Sequence, residues 1–112
     1  MIDFEITKKQ KILEVNNEMC HNYYYLIYGR LYNENRTKYK KFKYVLWFDI
    51  WDLLEYYEKD FVTNEEIKRY IEEIENPYLT DIENFGDIEK IKDFYKFCND
   101  TINDYNNLIS KR

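Results

Sequence analysis

The amino-acid sequence predicts an α+β fold in which a long antiparallel β-hairpin, or a sheet of three strands, packs against C-terminal helices. Residues 38–50 alternate apolar and polar side chains, and residues 22–33 are rich in tyrosine and other strand-forming types. Residues 88–109 repeat apolar side chains every three or four positions, as a helix does. With 112 residues, 45% of them hydrophobic, the chain 1–112 is predicted to form a single domain around one core.

The first twenty residues carry the weakest pattern, and we predict a helix over residues 8–20. A capping box of Thr7 with Gln10 would begin this helix. Residues 2–6 form a strand in the alternative interpretation. The apolar residues that would share one helical face are Ile12, Val15 and Met19.

Two neighbouring strands and a turn make up the predicted hairpin. Residues 22–33 supply the first strand, and the polar segment NENRT (33–37) has the length of a hairpin turn. The alternation in KYKKFKYVLWFDI (38–50) is the pattern of a half-buried strand. The residues expected on its buried face are Phe42, Tyr44, Leu46, Phe48 and Ile50.

Two shorter helices are predicted to follow the hairpin. Residues 50–60 indicate a short helix that leaves the second strand. Thr63 and Glu66 have the T-x-x-E spacing of a capping box, which marks the start of a second helix. Asn76 and Pro77 end it, because the residue before proline disfavours helical backbone. Its apolar stripe is Ile67, Tyr70, Ile71 and Ile74.

The last helix is predicted to begin after Asp87, which follows Gly86 and serves as its N-cap. Its stripe is wide enough to be the core face of a globular domain. A narrower heptad seam within it would instead support a coiled-coil homodimer. We expect the buried strand face to pack against Tyr95, Cys98 and Ile102. The seam residues are Ile88, Ile91, Tyr95, Cys98, Ile102, Tyr105 and Ile109.

The composition points to the kind of genome that encodes the chain. There is no alanine, although alanine is the best helix former, while tyrosine, isoleucine and lysine occur thirteen times each. The abundant types have AT-rich codons, so we expect a source among AT-rich microbes, their viruses or their mobile elements. No apolar run approaches the roughly 18 residues of a membrane span. The N-terminus lacks a signal-peptide pattern, so we expect a cytoplasmic location.

The net charge of −5 is distributed unevenly along the chain. Residues 49–89 contain fourteen acids and three bases, a net charge of −11. Such asymmetry is typical of proteins with a charged partner, although a solvated helix face is the simpler interpretation. The residues proposed from the sequence as a partner-binding surface are Asp49, Asp52, Glu55, Glu58, Glu65, Glu72 and Glu73.

The opposite charge is concentrated in residues 36–43, RTKYKKFK, at the hairpin turn. Cations between aromatic rings suit nucleic acid, because cations bind phosphates and rings stack on bases. Lysines on an exposed strand also keep its edge from pairing with other chains. The residues of this alternative nucleic-acid site are Arg36, Lys38, Lys40, Lys41 and Lys43.

Catalytic, metal and cofactor motifs are not recognisable in the sequence. Cys20, His21 and Cys98 lack zinc-site spacing, and there is no glycine-rich phosphate loop. Glu66-x-Lys68 with Asp60 upstream has the residue types of a metal-dependent nuclease but falls on a predicted helix. We therefore predict no enzyme activity and no cofactor.

The preferred functional hypothesis is a non-enzymatic inhibitor encoded by a virus or mobile element. Its acidic surface would block a host nucleic-acid enzyme or defence system, as anti-CRISPR proteins do. The expected partner is a nucleic-acid-handling protein with a basic surface. The alternatives are a small nucleic-acid-binding protein using residues 36–43 and a minimal carboxylate-dependent nuclease.

Overall fold

The computed structural model describes residues 3–73 and 88–111. Within them, a three-stranded antiparallel sheet is followed by three helices, and the last helix packs against the sheet. The predicted α+β class, with its third strand, is confirmed. The elements in chain order are β1 (Phe4–Asn16), β2 (His21–Tyr32), β3 (Tyr39–Asp49), α1 (Ile50–Tyr57), α2 (Asn64–Glu73) and α3 (Ile88–Ser110).

The predicted hairpin is confirmed as β2 and β3, which pair from Asn22 with Asp49 to Tyr32 with Tyr39. Local hydrogen bonds close the turn between them. The Asn33 backbone N–H donates to the Lys38 carbonyl oxygen at 3.1 Å, and the Asn33 side-chain oxygen accepts from the Lys38 N–H at 3.1 Å.

The helix predicted over residues 8–20 is wrong, because these residues form most of β1 and the turn after it. The pairing of β1 with β2 shifts register between Ile6 and Lys8 and again between Lys11 and Leu13. Each irregularity adds one residue to β1, so the spacing between residues on one face grows from two to three. That three-residue step, as from Lys11 to Glu14, imitates the period of a helix, so alternation does not reveal this strand.

The starts of α1 and α2 are ordered by reciprocal side-chain hydrogen bonds. At α1 the Asp49 carboxylate accepts from the Asp52 N–H at 3.1 Å, and the Asp52 carboxylate accepts from the Asp49 N–H at 3.0 Å. At α2 the predicted capping box is confirmed: Glu66 N–H donates to Thr63 Oγ1 at 3.2 Å, and Thr63 N–H donates to Glu66 Oε1 at 3.3 Å. The predicted stop at Asn76-Pro77, Ile74 of the stripe and the Asp87 cap lie outside the described residues.

The inner sheet face carries two adjoining clusters of buried side chains rather than one. In the first cluster, Cys98 of α3 packs on Tyr44 and its neighbours, as expected, with Tyr95 partly buried beside it; Phe94, which was not expected there, is its other buried α3 residue. Phe48 of β3 and Ile50, the first residue of α1, instead belong to the second cluster, whose helical residues come from α1 and α2. The expectation that they meet the last helix is therefore wrong. The buried members of the second cluster are Tyr23, Phe48, Leu53, Tyr70 and Ile71.

Helix α3 packs across the edge of β3, so it covers part of the strand's unpaired backbone. The Val45 N–H donates to Thr101 Oγ1 at 3.1 Å, and the Thr101 hydroxyl donates to the Cys98 carbonyl at 2.9 Å. This contact buries Val45 although its side chain belongs to the outer sheet face. The apolar stripe of α3 is thus a core face at its centre, while Leu108 and Ile109 near its end are exposed.

Candidate functional site

Helix α1 presents an acidic face with exposed aromatic rings, which we call the α1 outward face. Residues 51 and 55 lie within one arc of the helix, residues 52 and 56 lie beside it, and residue 58 is the C-cap that follows the helix. All five side chains are exposed, and α1 contains no cation. Trp51 is 72% exposed, an unusual position for so large an apolar ring. The α1 outward face consists of Trp51, Asp52, Glu55, Tyr56 and Glu58.

The seven acids predicted as one surface divide into separate groups. Asp49 and Asp52 hold the start of α1 through the hydrogen bonds described above. Glu55 and Glu58 belong to the α1 outward face, and Glu58 also ends α1 in the left-handed conformation, with φ of 53°. Glu65 lies in the first turn of α2, where a negative charge complements the helix dipole.

The last two predicted acids lie near the C-terminal end of α2, close to cations of the same chain. Glu72 and Glu73 line a cleft with Lys8 and Lys9 of β1. Lys9 Nζ donates to the carbonyl oxygens of Ile71 at 2.7 Å and Glu72 at 3.2 Å, which stabilises this helix end. Glu73 is thus the α2 acid that extends the α1 outward face, because its carboxylate accepts from the Tyr56 hydroxyl at 3.5 Å.

Glu66 is the one buried acid among the described residues. Its carboxylate is 3.0 Å from Lys59 Nζ and also accepts from Thr63. The hydrogen bond from Lys59 is the main cause that holds the pKa of Glu66 below its usual value. The acid of the nuclease alternative is therefore engaged inside the α1–α2 connection, while Asp60 is exposed. Across residues 3–73 and 88–111, no group of three or more metal-ligating side chains is arranged to hold an ion.

The basic residues predicted at 36–43 do not form one surface. Alternation along β3 sends Lys41 and Lys43 to the outer sheet face and Lys40 to the inner side, where its Nζ lies 4.2 Å from the Tyr95 ring centroid. Arg36 lies in the turn and pairs with Asp3 at 2.8 Å. Lys38 is exposed at the end of the turn.

The strand register assembles a different cationic group, which the sequence did not reveal. Arg30 of β2 lies between Glu5 and Lys41, and Tyr28 lies between Lys8 and Lys43. Lys8 and Arg30 were missed because only the pairing of β1 with β2, including its first irregularity, brings them beside the lysines of β3. The cationic group of the outer sheet face is Lys8, Arg30, Lys41 and Lys43.

A third feature is a cleft of about 750 Å³ between the inner sheet face and α2. In it, Glu14 accepts from His21 Nε2 at 3.0 Å and from Lys11 Nζ at 3.1 Å. These contacts, the His21 hydrogen bond first, hold the pKa of Glu14 below its usual value. His21 thus has a structural partner on β1, while Cys98 lies in the α3 cluster.

Comparisons with models of protein families, with curated proteins and with solved structures found no match for this chain. No helix within residues 3–73 and 88–111 is both long and apolar enough to cross a lipid bilayer.

Proposed function

We propose that the protein is a non-enzymatic inhibitor that binds a basic surface of a nucleic-acid-handling protein through the α1 outward face. In this proposal the chain is encoded by a virus or mobile element of an AT-rich microbe. It acts in the host cytoplasm by competing with nucleic acid for the partner's basic groove, as anti-CRISPR proteins do.

The observation that carries the proposal is an exposed tryptophan among carboxylates. Trp51 and Tyr56 are of the types that contribute most binding energy at protein interfaces. Asp52, Glu55 and Glu58 surround them on α1, and Glu73 adjoins Tyr56. Burial of the rings supplies affinity, while the carboxylates steer a basic partner and select against an acidic one.

The rigidity of α1 also supports a binding role. The capping box of Asp49 fixes the first turn, and buried Leu53 anchors the helix to the second cluster. At the other end, the Tyr57 hydroxyl donates to the Glu66 carbonyl at 3.0 Å. A helix held at both ends loses little conformational entropy when its outward face binds.

The experiment is affinity capture from a nuclease-treated host lysate, followed by reconstitution with the purified partner. The wild type should retain a nucleic-acid-handling protein and inhibit its activity. Trp51→Ala and the pair Glu55→Lys, Glu58→Lys should each weaken binding of that purified partner by tenfold or more, the range of interface hot spots. The double substitution Glu55→Lys, Glu58→Lys should mainly lower the association rate and change its salt dependence.

A matched control is the pair Glu18→Lys, Asp93→Lys, which changes net charge equally at exposed sites outside α1. This pair should bind as the wild type does. If this control pair loses as much affinity for the partner as the pair Glu55→Lys, Glu58→Lys, overall charge and not the α1 outward face controls binding. Undiminished binding by Trp51→Ala would contradict the anchoring role of the ring.

A further inference from the structure

We infer that the outer sheet face is a second binding surface, and that its ligand is single-stranded nucleic acid. The inner face is covered by helices, whereas among residues 3–73 and 88–111 the outer face of β2 and its neighbours is covered only beside β3, where α3 packs. This inference does not depend on the proposed function, because different elements form the two surfaces.

The charge of the outer sheet face suits a phosphate backbone. Lys8, Arg30, Lys41 and Lys43 lie in two adjacent cross-strand rows, and Glu5 is the acid in those rows. The Glu5 carboxylate already accepts from the Tyr32 hydroxyl at 3.0 Å. No described carboxylate forms an ion pair with Lys41 or Lys43, so both ammonium groups are available to phosphates.

Aromatic rings lie at both ends of the same face. Tyr39 is 50% exposed, and the Arg30 guanidinium lies 4.9 Å from its ring centroid. Trp47 is 56% exposed and stacks on Tyr24, with 6.1 Å between ring centroids. Trp47 lies eight positions after Tyr39 on β3, about 26 Å in an extended strand. A short single strand could therefore contact the cations at its phosphates and both rings with its bases.

Hydrogen-bonding groups complete the surface beside β3. A groove of about 430 Å³ between β3 and α3 is lined by Asn99 and Asn103 together with Tyr28, Lys41 and Lys43. The amides can donate to and accept from base edges that are exposed in a single strand. A duplex would hide its base faces from Tyr39 and Trp47, and an acidic peptide would use the cations without the rings. The combination therefore favours single-stranded nucleic acid over both.

The first experiment measures binding of fluorescein-labelled 12-nucleotide oligo(dT) and oligo(rU) by anisotropy. Two probes are used because the face fits the phosphates and bases of DNA and RNA alike. Four phosphate contacts predict a salt slope of about −3, so affinity should fall about 50-fold between roughly 50 and 200 mM salt. The pair Lys41→Gln, Lys43→Gln should reduce that slope to about −1.4, a fall of about sevenfold.

The matched control is the pair Lys92→Gln, Lys96→Gln, which removes the same charge from exposed positions on α3. Its slope should equal that of the wild type. Tyr39→Ala should weaken binding about tenfold, which is the size of one lost stacking contact. These exposed substitutions should leave the thermal melt unchanged, so lost binding cannot be attributed to unfolding.

The second experiment uses tryptophan fluorescence to locate the ligand. Trp47 and Trp51 are the only tryptophans. In a Trp51→Phe background, saturating oligo(dT) should quench Trp47; in a Trp47→Phe background, Trp51 fluorescence should not change. The same two single-tryptophan variants separate this inference from the proposed function. A protein that docks on the α1 outward face should change the fluorescence of Trp51 and not that of Trp47.

Several results would overturn the inference. One is no binding of either probe by the wild type up to about 10⁻⁴ M, the weak limit of non-specific nucleic-acid binding at physiological salt. Equal affinity for a 12-base-pair duplex would exclude stacking on a single strand. Equally strong displacement by poly-glutamate, with no effect of Tyr39→Ala, would identify a general anion surface. Unchanged Trp47 fluorescence at saturation would place the ligand elsewhere.

Discussion

Substitution of Gly29 by alanine should destabilise the fold, because the Phe42 ring occupies the space a side chain would need. An alanine Cβ would lie 2.7 Å from Phe42 Cε1, nearer still to Cζ, and 2.8 Å from the Glu5 carbonyl oxygen. Ordinary contacts begin at 3.4 Å, so the ring would have to move by at least about 0.7 Å. Phe94, which contacts the ring edge-on at a centroid distance of 5.1 Å, opposes that movement.

Two opposing effects determine the size of the loss. Overpacking of a core costs about 1–3 kcal/mol. Replacing glycine within a strand returns about 0.5–1 kcal/mol, because the unfolded chain loses freedom. The expected net loss of unfolding free energy is about 1–2 kcal/mol, which lowers Tm by about 4–8 °C in a domain of this size. Calorimetry and urea denaturation of Gly29→Ala measure both quantities.

A double-mutant cycle identifies the cause. In a Phe42→Leu background the ring is gone but the Glu5 carbonyl contact remains, so Gly29→Ala should cost less than it does in the wild type. A cost that is the same in both backgrounds would exclude the ring contact as its source. A Gly29→Ala protein that melts within about 1 °C of the wild type would refute the packing argument entirely.

Three further predictions concern the α3 contact, the Glu14 cluster and the buried thiol. Thr101→Val leaves the Val45 N–H without its partner and should cost about 1–3 kcal/mol in denaturant titrations, whereas Thr101→Ser should keep most of the stability. The pKa of Glu14 is lowered in the fold, so its stabilisation is present above the unfolded-state pKa of 4.5 and lost as pH falls through the lower folded value. Glu14→Gln should therefore flatten melting temperature against pH below about 4.5. Burial raises the pKa of Cys98 to about 12, so a thiol reagent at about pH 8 should label the other cysteine first and Cys98 only after unfolding.

Each of these predictions has a contrary result. Equal stability of Thr101→Val and Thr101→Ser would show that the hydroxyl contributes nothing at the β3 edge. If the melting temperature of Glu14→Gln falls with pH below about 4.5 as steeply as that of the wild type, other carboxylates cause the loss of stability. Rapid labelling of both thiols in the native protein would contradict the burial of Cys98.

The features that the sequence predicted correctly depend on neighbours along the chain. The hairpin followed from strict alternation around a polar turn, and the start of α2 followed from Thr63 and Glu66. Strand β1 was missed because its two irregularities place residues of one face three positions apart, as from Ile6 to Lys9 and from Lys11 to Glu14. Local pattern reasoning fails where backbone irregularity alters the period on which it relies.

The candidate surfaces were less predictable, because charged residues that are close in sequence need not lie on the same face of the folded protein. Consecutive lysines at Lys40 and Lys41 point to opposite sides of the sheet, while Lys8 joins Lys43 only through pairing. The exposure of Trp51 also depended on which side of α1 meets the second cluster. Helical periodicity could have indicated it, since Leu53, which is buried, lies opposite Trp51 on the helix.

The order of strands and helices has a consequence for synthesis of the chain. The three strands are adjacent in sequence and are complete by Asp49. The α3 residues of the first cluster, Phe94 and Cys98, are translated much later. At about 5–20 residues per second, the ribosome needs roughly 2–10 s to add residues 50–98. During that interval a nascent sheet would expose the side chains of Ile27 and Tyr44. Exposed apolar side chains of this kind are what chaperones bind. Release of the last helix from the exit tunnel, and not formation of the sheet, is then the event that protects the nascent protein from aggregation.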